Sequence, residues 1–311
     1  MKSFALFLCL ICLWGTTLLA QAEFFQGTNL GSSARMIRMA NVEGFSQLSS
    51  SIFDNPAGIV TVPAERHLNF FYSQLMQEVE YKNLAGTIKT PYGVFGAGIM
   101  LTEVSGIAVT TEDITSDPEN SIYLETGEYF DYMNGVMKFS YGFSQSEHLH
   151  FGFSTSYYFT KIYNYTGSGI NFDAGMLYET PDFGTSIVLR NVASGLTVKY
   201  SNGGSEALSL QTVYGIRYRL MPDVQLLGQV KIIGGSKKMA NSLAAVYTPA
   251  FLPYITVSGG YKQFLVLKDV KGGVSLGIGL TLGSISADYA MEQSEHPEFN
   301  GKHYLSMGFA F

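Results

Sequence analysis

The sequence predicts an all-β fold of one kind: a transmembrane outer-membrane β-barrel of about fourteen antiparallel strands, with an N-terminal plug, or hatch, segment in the lumen. Three observations predict it. Charged residues make up only 14% of the 311-residue chain, well below the roughly 25% of ordinary soluble proteins. No segment beyond residue 22 approaches the ~20 uninterrupted apolar residues of a membrane helix. Instead, large apolar residues alternate with small or polar ones in run after run, the period of a strand with one face in lipid and the other in a crowded lumen.

The first element is an export signal. Lys2 precedes an apolar run from Phe4 to Leu19, and Ala20-Gln21-Ala22 supplies small residues for cleavage after Ala22, so residues 1–22 are expected to be removed. A retained membrane anchor is the alternative, but the run is short and no basic flank follows it. Cys9, Cys12 and Trp14 all lie in this signal. The mature chain therefore has no disulfide, thiol nucleophile or cysteine metal site. Any interfacial aromatic girdle must come from the 20 Tyr and 22 Phe of the chain,. The destination is the outer membrane of a Gram-negative-type bacterium, and the net charge of −6 argues against nucleic acid as a partner.

Residues 23–66 differ in kind, because period two is absent. Ala34 to Ala40 and the stretch before Asp54-Asn55-Pro56-Ala57-Gly58-Ile59 suit short helices, and the Asn-Pro and Ala-Gly steps mark turns. A segment of about forty residues is long enough to fold into the lumen as a plug. The alternative, a disordered periplasmic tail, conflicts with its Met, Phe and Ile content.

The barrel itself is expected over 67–311. Alternation places strands at 67–76, 80–89, 92–102, 129–142, 148–161, 168–179, 183–190, 208–219, 223–233, 241–248, 254–262, 271–281, 284–292 and 302–311. The clearest has Val274, Leu276, Ile278, Leu280 and Leu282 on one face, and Ser275, Gly277, Gly279, Thr281 and Gly283 on the other. The last alternates Leu305, Met307, Phe309 and Phe311 with Ser306, Gly308 and Ala310, the form of a C-terminal strand that closes a barrel and signals its assembly. Short connectors near Thr90-Pro91, Gln145-Ser146, Thr180-Pro181, Met221-Pro222, Pro249 to Pro253 and Leu282-Gly283 alternate with longer ones, chiefly Glu103 to Glu128 and Asn191 to Glu206. That puts the short turns and both termini in the periplasm. A soluble β-sandwich also has alternating strands. It would need a water-facing face rich in Lys, Glu and Thr, whereas here the non-apolar face is mostly Gly and Ser with single charges of mixed sign, suited to pairing across strands and to the plug.

Several stretches resemble a family. Ser33-Ala34-Arg35-Met36-Ile37-Arg38-Met39-Ala40 followed by Ser51-Ile52-Phe53-Asp54-Asn55-Pro56-Ala57-Gly58-Ile59 is similar to the N-terminal motif of the PorV/PorQ family and the wider FadL-like outer-membrane barrels. Gly169 to Tyr178, Ser205 to Leu220, Tyr289-Ala290 and His303 to Phe311 resemble later strands of that family in the same order. The glycine-rich continuation of the first motif is replaced by Arg38-Met39-Ala40-Asn41-Val42-Glu43-Gly44. The resemblance implies a fourteen-stranded barrel with an N-terminal hatch, in agreement with the periodicity.

It also implies a non-enzymatic role without cofactor or metal: uptake or transfer of hydrophobic small molecules across the outer membrane. The alternative is an accessory of a type IX-like secretion system that binds exported cargo. Asn55, Pro56, Ala57 and Gly58 match the hatch motif. Met36, Ile37, Met39, Phe45 and Ile52 are candidate lumen contacts for a ligand, and equally plain packing. The expected partners are outer-membrane lipid, the barrel-assembly machinery, and either a hydrophobic small molecule or secretion-system and cargo proteins. A catalytic reading finds little support. His67, His148, His150, His296 and His303 are scattered, and the His148/His150 pair beside Glu147 has neither a third ligand nor a serine nucleophile motif.

Overall fold

The computed structural model describes residues 24, 26–75, 78–113, 122–234, 238–266, 269–295 and 300–311. The export signal, His296 and part of the Glu103–Glu128 connector lie outside these residues. The strands are β1 (Arg66–Leu75), β2 (Val79–Thr90), β3 (Gly93–Asp113), β4 (Ile122–Ser144), β5 (Leu149–Ile162), β6 (Tyr165–Glu179), β7 (Phe183–Arg190), β8 (Thr197–Tyr200), β9 (Ser205–Ala207), β10 (Gln211–Met221), β11 (Val224–Ile233), β12 (Lys238–Tyr247), β13 (Ile255–Val266), β14 (Asp269–Leu282), β15 (Ile285–Ser294) and β16 (Lys302–Ala310).

All but β8 and β9 form a closed antiparallel ring of fourteen. Closure joins β1 to β16 in register from His67↔Ala310 to Ser73↔Tyr304, and Phe311 exchanges both backbone hydrogen bonds with Arg66. Where the ring is closed, neighbouring strands satisfy each other's amides without water.

Period two decides which side chains face out. Along β16, Leu305 and Met307 are exposed while Tyr304 and Ser306 are buried. Along β14, Val274, Leu276 and Ile278 are exposed while Ser275 is fully buried. The exposed belt is thus apolar, as lipid requires, and it is edged by aromatics. Tyr92, Phe95, Tyr178, Phe183, Tyr218, Tyr247, Phe251 and Tyr254 are exposed near the end that carries both termini of the ring, and Tyr129, Tyr157, Tyr163 and Tyr165 are exposed near the other. These rings build the girdles without tryptophan.

Two connectors depart from the sequence expectation. Glu103 to Glu128 is largely strand, because β3 and β4 run for 21 and 23 residues against 10 and 12 in β1 and β2. Their pairing continues to Asp113↔Ile122 through register shifts between Val104/Ile107 and Ala108/Thr110. The first shift inserts one extra residue of β3 and so moves the side chains that follow it to the other face, and the second inserts two extra residues of β4; together they erased the alternation over this stretch. Asn191 to Glu206 likewise contains β8 and β9, a hairpin that attaches to β6 at Gly167↔Tyr200 and Ser168↔Lys199.

Candidate functional site

Among the described residues between Phe24 and Val62 none lies in a strand. A 3-10 turn (Gly27–Leu30), a short helix (Ala34–Arg38), a helical turn (Ser51–Asp54) and a 3-10 stretch (Pro56–Thr61) follow one another. Ser33 caps the first helix by accepting the Met36 amide at 3.2 Å,. Ala40 and Asn41, at φ 53° and 56°, then turn the chain away.

Nearly all of this stretch is buried, and its polar partners lie on strands around the ring. Ala34 N donates to Ser306 of β16 at 2.6 Å. The Tyr81 hydroxyl of β2 donates to the Gly31 carbonyl at 2.6 Å. Glu43 N donates to Gln229 of β11 at 2.8 Å. Since these residues occupy inward positions on opposite sides of the barrel, the segment lies against the inner wall.

The Asn55-Pro56-Ala57-Gly58 motif shows how the wall is shaped to receive it. Asn55 Oδ1 accepts the Ala57 amide at 2.9 Å, starting the 3-10 stretch, and Pro56 enters where its missing N–H costs nothing. Asn55 Nδ2 donates to Ser186 Oγ at 2.8 Å and to the Met176 carbonyl at 3.2 Å, which ties the turn to β7 and β6. Gly142, Gly152 and Gly175 stand in register across β4, β5 and β6. A Cβ at Gly175 would collide with Asn55 Oδ1, one at Gly152 with the Pro56–Ala57 backbone, and one at Gly142 would lie 2.8 Å from Val60. The three glycines form a trough in which Asn55 to Val60 sits. Farther round, Gly277 and Gly279 of β14 make room for Arg38 in the same way.

Charges fasten the segment at two further places. Arg35 and Arg38 both pair with Asp288 of β15 at 3.0 Å, and Arg38 also donates to Ser258 of β13 at 2.7 Å. Glu43 pairs with Arg190 of β7 and, at 3.0 Å, with Lys231 of β11. Arg190 also donates to the Asp54 carbonyl at 2.7 Å. Burial alone would raise the Glu43 carboxyl, but Arg190 and Lys231 outweigh it and hold it below its usual range,. Among the described residues no cation forms an ion pair with Asp54, although Arg190 and Lys138 are near enough to lower its pKa slightly. Burial, with the Glu43 carboxylate nearby, pushes it up to about 7 against the hydrogen bond from Ser32.

The candidate lumen contacts divide into two packed groups. Met36, Met39 and Phe45 join Leu177, Leu227, Ala244 and Val246, while Ile37 and Ile52 join Phe53, Phe71, Tyr81, Val136 and Tyr158. None of the five lines the small cavity of about 10 Å³ that Phe24, Gln26, Thr28, Met100 and Tyr158 enclose, room for roughly one water. Of the single charges that alternation puts on inward positions, Lys138 pairs with Asp173 at 2.5 Å, Arg217 with Glu179 at 2.9 Å, and Lys231 and Asp288 with the segment, while Arg219 reaches only the exposed Asp182, at 4.0 Å.

A feature not anticipated from the sequence is a break in the wall beside that cavity. β7 pairs with β6 from Glu179↔Gly184 to Ala174↔Leu189 and then departs, turning at Asn191, φ 56°. Val192 N still reaches the Phe172 carbonyl at 2.9 Å. The amides of Asn191 and Ala193 instead donate to side chains, Asp173 Oδ1 at 3.0 Å and Asn171 Oδ1 at 3.1 Å. Behind the break lie buried Phe24, Tyr158, Val198 and Leu208, with Phe24 edge-on to Tyr158 at 5.7 Å. Here side-chain hydrogen bonds, backed by packed side chains, replace most of the backbone ladder. The signal available was two buried polar residues, Asn171 and Asp173, opposite the end of a strand only eight residues long.

Three of the histidines hydrogen-bond neighbouring side chains. His150 hydrogen-bonds Ser144 at 2.9 Å, His67 bonds Ser49 at 3.0 Å and His303 bonds Tyr289 at 2.6 Å, and among the described residues no three His, Asp or Glu converge as metal ligands.

No family model and no curated protein matches the chain. Solved structures do. The CymD monoaromatic hydrocarbon channel is similar at TM-score 0.65 and 12% identity over 91% of this chain and 98% of its own. The Pseudomonas putida toluene transporter TodX gives 0.63 and 12% over 90% and 99%, and the Ralstonia pickettii toluene transporter TbuX 0.60 and 12% over 94% and 100%. At such identity the likeness is one of fold alone.

Proposed function

We propose that this barrel resides in the outer membrane and passes small hydrophobic molecules inward, with residues 24–62 as its plug. The observation that carries the reading is the break between β6 and β7. A closed ladder is impassable to a solute, since opening it strips amides of partners in lipid. Where side chains close the wall instead, a rotamer change or a shift of Phe24 opens a route between the lumen and the membrane. Such a route suits a molecule that prefers hydrocarbon to water. The same fold serves proteins described as a monoaromatic hydrocarbon channel and as toluene transporters, and no catalytic group is needed.

The test is uptake of a labelled monoaromatic hydrocarbon by cells with and without the protein. Faster uptake is expected, and it should fall when Asn191→Pro or Asp173→Ala disturbs the break. Equal uptake in all cells would end the proposal. A second reading, the secretion accessory, draws on the β3–β4 hairpin, whose residues 124–129 are all exposed beyond the barrel's other strands. It requires secretion-system or cargo proteins to co-purify with the barrel, where the transport reading requires a lipid-like molecule.

A further inference from the structure

We propose that the outward face of β5, β6 and β8 holds a membrane lipid with a phosphate-bearing headgroup. An open cleft of about 490 Å³ lies there, lined among others by Met133, Tyr157, Phe159, Lys161, Ser168 and Lys199. Pairing places these residues on one surface. Met133 faces Lys161, and Lys161 faces Thr166. In the next outward row Gly135 faces Phe159, Phe159 faces Ser168, and Ser168 faces Lys199. Paired residues share a face of the sheet, so both lysines stand on the lipid side, where exposed Ile170 and Phe172 continue the apolar belt below them.

The floor is built to be flat and apolar. The Phe159 ring lies over Gly135, in the space a Cβ would fill, and stacks at 25° on Tyr157, whose centroid is 6.1 Å away. Met133 flanks it. Above this floor Lys161 and Lys199 are exposed. Lys82, Lys138, Lys231 and Lys262 each pair with a carboxylate, but among the described residues Lys161 and Lys199 pair with none. The carboxylates nearest in register are engaged elsewhere or face away. Asp131 accepts the Gly106 amide at 3.0 Å, and Glu206, opposite Val198, is on the inward face with Tyr200, whose hydroxyl it accepts at 2.6 Å.

Two strands at ~4.8 Å spacing and two residues along them separate the lysine backbones by roughly 12 Å. Two ammonium groups on flexible stems therefore converge on one phosphate at the edge of an aromatic platform that holds an acyl chain. The cleft lies at the barrel end opposite the chain termini. This inference rests on the reading of the chain as a membrane barrel and is independent of what the lumen carries.

The test is native mass spectrometry of the full chain in non-ionic detergent, titrated with phosphatidic acid. The wild-type protein should retain the lipid, and Lys161→Gln with Lys199→Gln should bind it about tenfold more weakly, a loss of ~1.4 kcal/mol. The double Lys→Arg variant should bind as the wild type does, and heat-modifiable electrophoretic mobility should show all three folded. Equal binding by the Gln variant, equal retention of diacylglycerol without phosphate, or displacement by inorganic phosphate would each overturn the proposal. Hydrocarbon uptake and membrane fractionation report separately on the transport and membrane readings, so their failure is distinguishable from failure here.

Discussion

The barrel wall and the chain inside it are stabilised by opposite means. In the wall, each strand satisfies its amides on its neighbours, and the side chains need only be apolar outside and small or paired inside. In residues 24–62, short helical turns leave much of the backbone unpaired internally, and wall side chains complete it: Ser306 for Ala34, Gln229 for Glu43, Tyr81 for Gly31. The ladder of the wall pairs strand to strand without the segment, whereas the segment draws on wall side chains for these partners.

Removing residues 24–60 tests that asymmetry most severely. The barrel should still assemble, with the heat-modifiable mobility of the whole protein, while vesicles carrying it become permeable to small polar solutes. Unchanged permeability would sink the plug assignment. Next in size is Arg190→Ala. It leaves Glu43 with Lys231 alone in a buried site and strips the Asp54 carbonyl of its donor, at a cost of about 3–5 kcal/mol. The loss should fall on segment docking and be read as protease cleavage within 24–62 while the wall stays resistant. Cleavage no faster than in the wild type would show that the charges do not hold the segment.

Smaller effects are expected at the trough. Gly152→Ala sets a methyl against the Pro56–Ala57 backbone and should weaken docking by about 1–3 kcal/mol. Ala at outward Gly228, whose nearest neighbour would be 3.4 Å away, should be close to neutral in the same protease assay. Equal effects at both sites would remove the trough from the account.

The smallest effect concerns Asp54. Its carboxyl is raised from 3.8 to about 7, so the docked segment favours the protonated form. That contribution is complete below pH ~4 and is lost as pH rises through about 7. The segment should therefore resist protease better at pH 5 than at pH 8, and Asp54→Asn should flatten the difference. Glu43, held low, acts in the reverse sense and only at acid pH,, so it cannot make the segment more resistant at pH 5 than at pH 8, and an unchanged profile in Asp54→Asn would show that Asp54 is not the titrating group.

The two regions also differ in how far the sequence disclosed them. All fourteen wall strands were legible from alternation, and the C-terminal strand's outward Leu305 and Met307 were placed correctly. Legibility failed where bulges reset the period, between Val104 and Thr110, and where β7 leaves the ladder at Asn191. In the segment, the turn at Asn55-Pro56 was readable from residue type, but its seat was not. Ser186 is 131 residues away in the chain, and the Glu43–Arg190 pair spans 147. The inward glycines were visible as small residues in a crowded lumen, with nothing to say that Gly142, Gly152 and Gly175 align.

By itself the sequence determined the facing of each strand, because in an extended backbone a side chain's direction depends only on its parity within the run. It thereby determined an apolar outside, a small and polar inside, and a ring that its C-terminal strand closes. Which inward residue meets which part of the segment was decided by the tertiary structure alone. Register and curvature bring together groups from different strands, and neither can be counted along one strand. The glycine trough, the Glu43–Arg190–Lys231 cluster and the break at Asn191 exist only once the ring has closed.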